Sequence, residues 1–171
     1  MEKRYRALVS QYKNQVYSLA RYMLTDANDT EDISQEVYIK LWKHLENVSD
    51  TQALAWLLKV TRNACLDRIR ARRNEESVND ELLGEHEKSN PEKLIGDAQI
   101  QQRLMSCIAV LPEPGRSLLI LRDIHEHSYE TLAQILDLSA SQVKVYLYRA
   151  RLALSEAFKS RISAEKIEDP L

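Results

Sequence analysis

Residues 139–151 combine side chains that can read DNA bases with side chains that can hold phosphate. Ser139 and Gln142 have the Ser-x-x-Gln spacing of a capping box, so a helix should begin just after Ser139. The helical period then sorts the residues that follow into two faces. The buried stripe should comprise Val143, Leu147, Ala150 and Leu154. The outward face and its flanks should comprise Ser141, Gln142, Lys144, Val145, Tyr148, Arg149 and Arg151. Serine, glutamine and lysine can hydrogen-bond base edges, valine can meet a thymine methyl group, and arginine can hold phosphate.

A second short helix is predicted just upstream, over the stretch that begins at Ser128. Two short helices with a tight turn, the second one exposed and basic, follow the plan of a helix-turn-helix that inserts its second helix into a DNA major groove. Such pairs also occur as plain packing units, and the alternative is the solvated face of an ordinary surface helix.

A basic helix is predicted from about Ala53 to Arg73. Between Lys59 and Arg73 it carries six bases and one acid, more charge than solubility requires, and this pattern is typical of contact with a nucleic-acid backbone. The expected DNA contacts on this helix are Lys59, Arg62, Asn63, Arg70, Arg72 and Arg73.

An acidic patch is predicted at the start of the preceding helix, which should run from near Asp29 to Leu45. Helix capping and the helix dipole explain some of its carboxylates, but Glu36 lies two turns in. The residues Asp32, Gln35, Glu36 and Ile39 share the exposed face. A docking site for a basic partner and a merely solvated face are both compatible with this pattern.

The composition predicts an all-α protein with two small helical domains joined by an acidic flexible linker. The 171 residues include only three Gly and four Pro, and no alternating apolar run indicates a strand. Residues 1–73 carry a net charge of +4, residues 74–99 of −6, and residues 100–171 are balanced. We therefore expect domains over 1–73 and 100–171, with the helix-turn-helix in the second, and an exposed linker over 74–99 that lets them move independently.

No catalytic, metal or cofactor site is expected. Cys65 and Cys107 are isolated in apolar helical patterns and should be core residues. His125 and His127 lack a third ligand at a recognisable spacing, and no phosphate loop or nucleophile with its base appears. With no membrane-spanning stretch and no signal peptide, we expect a cytoplasmic protein. With no catalytic arrangement of residues, we expect that it is not an enzyme.

The three features, in this order, resemble the sigma factors of bacterial RNA polymerase, and most closely the extracytoplasmic-function (ECF) group. The run from Asp32 to Tyr38 resembles the family's acidic Asp-x-x-Gln-Glu motif. The third helix resembles its −10 helix, and Leu111-Pro112 with the helix-turn-helix resembles its −35-reading domain. The −10 match comprises Trp56, Leu57, Asn63, Asp67 and Arg70.

The resemblance implies both partners and mechanism. The acidic patch would bind the clamp of the largest polymerase subunit, the C-terminal domain would meet the flap of the second subunit, and both domains would contact promoter DNA. In the group, the loop before the −10 helix, here residues 46–52, captures a flipped base, and the linker threads toward the active-site channel. An anti-sigma factor, in some cases at the membrane, commonly holds such proteins inactive.

The chain departs from the family at Pro114-Gly115, so the helix there could begin late. Val145 and Tyr148 occupy positions that vary in the family, so they do not indicate which −35 sequence is read. Two other functions fit parts of the sequence. A sigma mimic that sequesters an anti-sigma factor would usually lack the basic helix, and a conventional helix-turn-helix regulator would not explain the acidic patch.

Overall fold

The computed structural model describes residues 1–80 and 96–168, and every regular element in these two ranges is helical. The α-helices are α1 Glu2–Leu24, α2 Ala27–His44, α3 Ala53–Asp80, α4 Asp97–Ala109, α5 Gly115–Leu119, α6 Tyr129–Leu136 and α7 Ala140–Glu168, with a π-helical turn at Ile120–Ile124. None of the helices in the described part of the chain has the length and apolarity needed to cross a membrane.

Helices α1, α2 and α3 form the N-terminal domain around an apolar core. Each helix contributes side chains spaced three or four residues apart, which brings them onto one face. Fully buried examples are Leu19 of α1, Val37 of α2 and Leu57 of α3. Cys65 lies in the same core, and burial raises its pKa to about 12, so its thiol behaves as a small apolar group as expected.

Helix α3 is longer than the sequence predicts. It continues to Asp80, seven residues past the expected end at Arg73, while α4 begins at Asp97. The reason is that residues 74–80 include neither Gly nor Pro, so acidic composition alone does not end the helix; the first breaker is Gly84. Residues 81–95, the larger part of the predicted linker, lie outside the described residues.

Helices α4 to α7 form the C-terminal domain, in which α5 packs closely on α7. Pro114-Gly115, where the sequence departs from the family pattern, marks the start of a helix, since α5 begins at Gly115. A Cβ added there would come within 3.0 Å of the Ala150 Cβ. The missing side chain therefore lets the start of α5 approach α7 closely.

The helix-turn-helix is confirmed as a local structure. Ser128 caps α6, its Oγ accepting from the Thr131 N–H at 3.2 Å, and Asp137 ends that helix in the left-handed conformation with φ 54°. At the start of α7 the Gln142 N–H donates to Ser139 Oγ at 3.2 Å, and the Ser139 N–H donates to Gln142 Oε1 at 2.9 Å. This is the predicted capping box, and it sets the start of α7.

The two domains contact each other in this structure, and their independent movement in the free protein stays a prediction. Lys59 Nζ lies 2.7 Å from Asp137 Oδ2, and Arg62 Nε donates to Ser117 Oγ at 2.9 Å. His125 Nε2 lies 2.9 Å from Ser18 Oγ of α1. Because buried apolar residues of both domains belong to one continuous cluster, the contact combines apolar packing with polar pairs.

Candidate nucleic-acid interface

The outward face of α7 is exposed as predicted. Val143 and Leu147 are buried against the rest of the domain, whereas Val145 is 47% and Tyr148 65% exposed. Exposed residues on this face and its flanks are Ser141, Gln142, Lys144, Val145, Tyr148, Arg149 and Arg151. An exposed apolar valine and tyrosine between polar side chains give this helix a surface that can meet both thymine methyl groups and base edges.

Two residues of this face also have internal partners that the sequence does not show. Gln142 is half of the capping box, so its amide oxygen is already an acceptor. Arg151 makes a two-pronged ion pair with Asp123, its Nε and one terminal nitrogen lying 2.9 and 2.5 Å from the two carboxylate oxygens. Asp123 raises the pKa of Arg151, so this guanidinium is held in place by its own chain.

Most cations of the predicted −10 helix, α3, are paired with carboxylates. Lys59 pairs with Asp137, and Arg62 lies 3.3 Å from Glu113 Oε2, both across the domain contact. Arg70 meets Asp67 at 3.4 Å on the exposed surface. Two members of the predicted set, Asn63 and Arg73, are exposed, and their side chains form no hydrogen bond or ion pair within the part of the chain that the structure describes.

Asp29 is the carboxylate that holds the last part of this basic region. Its side chain is only 8% exposed, and its two oxygens lie 2.7 Å from Arg68 and 2.6 Å from Arg72. The neighbouring Asp26 caps α2 by accepting from the Asp29 N–H at 2.9 Å, which lowers the pKa of Asp26. Sequence reasoning explained Asp29 by its place at a helix start and missed that it anchors α3.

The acidic patch lies on the outer surface of α2. Asp32 and Gln35 are exposed, Ile39 is 55% exposed, and Glu36 is half-exposed with its carboxylate 2.6 Å from Lys40. The predicted residues therefore share one accessible face, and Glu36 has a basic neighbour one turn away.

Trp42 extends this face and was missed from the sequence. It is 46% exposed, and its ring meets the edge of Tyr5 with a centroid distance of 5.2 Å. The signal was available, because Trp42 follows Ile39 by three residues on the same helix. A partly exposed aromatic side chain beside a small charged patch is typical of a protein-docking surface.

The histidine pair before α6 is half-buried, and His125 lies at the domain contact. Burial, with His127 close by, lowers the pKa of His125 to about 4, and burial also lowers the pKa of His127. His125 Nδ1 and His127 Nε2 are buried without a hydrogen-bond partner. In the described ranges no three His, Cys, Asp or Glu side chains come together as metal ligands.

Comparison with known proteins identifies both halves of the chain. Residues 8–75 match the model of Sigma-70 region 2, and residues 101–154 match that of Sigma-70 region 4. The ECF RNA polymerase sigma-E factor of Escherichia coli K12 is 31% identical over 165 residues, covering 90% of this chain and 85% of that protein. The ECF RNA polymerase sigma factor SigM of Bacillus subtilis is 27% identical over 154 residues, covering 90% and 94%.

Two solved structures share the fold. The sigma factor RpoE in complex with the anti-sigma factor NepR from Bartonella quintana has a TM-score of 0.73 and 23% identity, covering 92% of this chain and 98% of that one. CnrH in complex with the cytosolic domain of CnrY has a TM-score of 0.71 and 20% identity, covering 94% and 90%.

Proposed function

The chain belongs to the ECF group of RNA polymerase sigma factors, which direct promoter-specific transcription initiation, and on that premise we propose how its domains divide the work. The N-terminal domain, 1–73, docks on core polymerase and contacts the −10 element. The C-terminal domain, 100–171, reads the −35 element, and residues 74–99 connect the two. In this proposal the whole protein recognises polymerase and promoter and catalyses no reaction of its own, and it acts in the cytoplasm.

The observation that carries this proposal is the clean division of α7 into a buried and an exposed face. The capping box at Ser139 sets the rotation of the helix, and the face that results carries Lys144, Val145 and Tyr148 outward. A recognition helix must present base-reading side chains while its other side stays packed, and α7 meets both requirements.

The acidic patch on α2 supplies the polymerase contact in this proposal. Asp32 and Glu36 provide charge, Ile39 and Trp42 provide apolar area, and all four are accessible. A patch of this composition suits a basic, partly apolar surface, for which the clamp of the largest polymerase subunit is the candidate. The flap of the second subunit is the candidate for the C-terminal domain.

The basic face of α3 supplies the −10 contact. Its unpaired members, Asn63 and Arg73, are available at once, whereas Lys59 and Arg62 first have to leave Asp137 and Glu113. Those two pairs join the domains, so Lys59 and Arg62 are freed only when the C-terminal domain moves away. Binding to polymerase, which holds each domain separately, would supply that separation.

An anti-sigma factor is the proposed regulator. Both of these solved structures are complexes with a partner chain, and in one of them a sigma factor is bound by an anti-sigma factor. The exposed surfaces of α2 and α7 are the ones such a partner would need to cover in order to block both polymerase and promoter.

Transcription in vitro tests the proposal. Purified core polymerase is supplied with genomic fragments, with and without this protein, and discrete transcripts should appear only when it is present. Asp32→Ala with Glu36→Ala should abolish co-purification with core while the helical circular dichroism stays unchanged. Glu75→Ala with Glu76→Ala is the matched control, since it removes the same charge from an exposed stretch of α3. A double α2 variant that still co-purifies with core at wild-type yield would refute the assignment.

A further inference from the structure

We propose that Arg4 of α1 positions the loop between α2 and α3, residues 46–52, so that the loop presents its polar side chains in a fixed arrangement to one unpaired promoter base. The inference rests on the proposed function, in which this loop lies at the start of the −10 helix. It adds a positioning residue that lies outside the stretch matched by the region 2 model, which begins at residue 8.

Arg4 makes three contacts to the loop and its first anchor. One terminal nitrogen donates to the Leu45 carbonyl at 2.7 Å, and the other donates to the Val48 carbonyl. Its Nε lies 2.7 Å from Asp50 Oδ1. A single guanidinium thereby joins the end of α2, the middle of the loop and its last part to the first turn of α1.

The loop has the side chains that base recognition needs. Leu45 and Val48 are buried and act as anchors, while the polar residues around them are exposed. The exposed polar residues are Glu46, Asn47, Ser49, Asp50, Thr51 and Gln52. Carboxylate, amide and hydroxyl groups can pair with the Watson–Crick edge of an unstacked base, as in proteins that hold a flipped nucleotide in a pocket.

Recognition of one base requires that these groups stay in place. Within the loop, Ser49 Oγ lies 3.1 Å from Thr51 Oγ1 and 3.2 Å from Gln52 Oε1, which orders the second half. In the first half of the loop, the Asn47 N–H donates to the His44 carbonyl at 2.9 Å. Arg4 ties the two halves together, and side chains that support a binding site in this way set its precision.

Lysine cannot replace Arg4 in this arrangement. The guanidinium fork reaches two carbonyls and a carboxylate at once, whereas an ammonium group is a single point of contact. If Arg4 merely stabilised the fold, replacing it would lower the free energy of unfolding and leave the base preference unchanged. Base choice is therefore the measurement that separates positioning from stability.

The experiment uses a double-stranded DNA library randomised over the −35 and −10 elements and transcribed by core polymerase with the full-length protein. Sequencing of the transcripts gives the preference at each base position. The variants are Arg4→Ala, Arg4→Lys and Asp50→Asn. The control is Arg6→Ala, which removes an exposed arginine of the same helix that pairs with Glu2. The −35 preference within each data set is a second, internal control.

We expect Arg4→Ala to lower the preference at one −10 position about fivefold or more, the weaker end of a base-edge contact, while the −35 preference and core binding stay at the wild-type level. Arg4→Lys should show a partial loss at the same position, and Arg6→Ala none. A uniform fall in transcript yield with an unchanged −10 preference would overturn the role of Arg4.

If Arg4→Ala gives too few transcripts to read, Arg4→Lys and Asp50→Asn decide the question. A preference shifted at one −10 position in Arg4→Lys supports the proposal, and a shift at the same position in Asp50→Asn strengthens it. A wild-type preference in Arg4→Lys overturns it whatever Asp50→Asn shows, because Asp50 can itself meet the base. Failure of the proposed function looks different, because the wild-type protein itself would then yield no promoter-dependent transcripts.

Discussion

Helices α3 and α7 both carry cations where DNA contact is proposed, but those cations stand in different surroundings. On α3, Lys59, Arg62 and Arg72 face carboxylates of the chain itself. On α7, Lys144 and Arg149 are exposed and have no ion-pair partner among the described residues. The proposed −35 face on α7 is therefore open in the free protein, whereas the cations of the proposed −10 face on α3 are largely paired.

The pairs on α3 are themselves of two kinds. Asp29 is buried inside the N-terminal domain, and its pairs with Arg68 and Arg72 are part of the fold. Asp137 is 72% exposed and lies on the other domain, so its pair with Lys59 can break without unfolding either one. Burial thus separates the ion pairs that hold α3 in the fold from the pairs that only cover its basic face.

The largest effect is expected from Asp29→Asn. The change leaves two guanidinium groups beside a neutral amide in a largely buried position, and should cost about 2–3 kcal/mol, somewhat below a fully buried pair because both arginines are partly exposed. Urea unfolding followed by circular dichroism measures it. Asp32→Asn on the same helix is the control, with a change within about 0.5 kcal/mol.

The matching change in the C-terminal domain is Asp123→Asn, which frees Arg151. Both side chains of that pair are more than a third exposed, so the cost should stay below about 1 kcal/mol. An equal loss of stability for Asp29→Asn and Asp123→Asn would remove the distinction between the anchored α3 and the open α7.

Lys144→Ala should weaken use of the −35 element by about 1–3 kcal/mol if the ammonium group meets a base edge. Binding of the holoenzyme to promoters that differ only in the −35 element measures the change. Lys159→Ala is the control, because it removes an exposed lysine far along the same helix. Gln142→Ala is less informative, since it also breaks the capping box. If Lys144→Ala and Lys159→Ala give the same promoter preferences, the assignment of this face is wrong.

The local structure of α7 could be predicted because it depends on neighbours in sequence. The Ser139–Gln142 capping box and the spacing of Val143 and Leu147 are short-range signals, and each was confirmed. The end of α3 lies seven residues beyond the predicted Arg73, because an acidic stretch without Gly or Pro can continue a helix. The exposed acidic patch on α2 was also predictable, since the helical period alone separates Asp32 from the buried Ile33.

The partners of the α3 cations could not be predicted from the sequence. Lys59 and Asp137 are 78 residues apart, and nothing in either residue's surroundings indicates the other. Their meeting depends on how two helical domains pack, which follows from the fit of whole surfaces. Arg4 and the loop carbonyls 41 and 44 residues away illustrate the same difficulty within one domain.

Acid should weaken the domain contact at His125. Its pKa is about 4 in the folded protein and ordinarily 6.5, because burial disfavours the charged form. Between these values the unfolded chain binds a proton that the folded chain does not, so stability is lost as the pH falls from 6.5 toward 4. The effect should be modest, since His125 is only partly buried.

Urea unfolding at several pH values should show a flatter pH dependence for His125→Gln, and the wild-type dependence for the exposed control His44→Gln. Parallel curves for wild type and His125→Gln would contradict the prediction.

The smallest effect is expected from Asp137→Asn, which uncovers Lys59. Asparagine tolerates the left-handed backbone of residue 137, so the turn of the helix-turn-helix should keep its shape. An exposed pair is worth about 0.2–1 kcal/mol, so binding to a fluorescent duplex of arbitrary sequence should tighten by at most about fivefold at low salt and hardly at all at high salt. Glu156→Gln controls for the lost negative charge, since it neutralises an exposed carboxylate of α7. Adding Lys59→Ala to Asp137→Asn should abolish the gain, because the freed ammonium group is its source. Equal tightening in Asp137→Asn and Glu156→Gln would mean that net charge alone acts, and that the domain contact does not cover the −10 face.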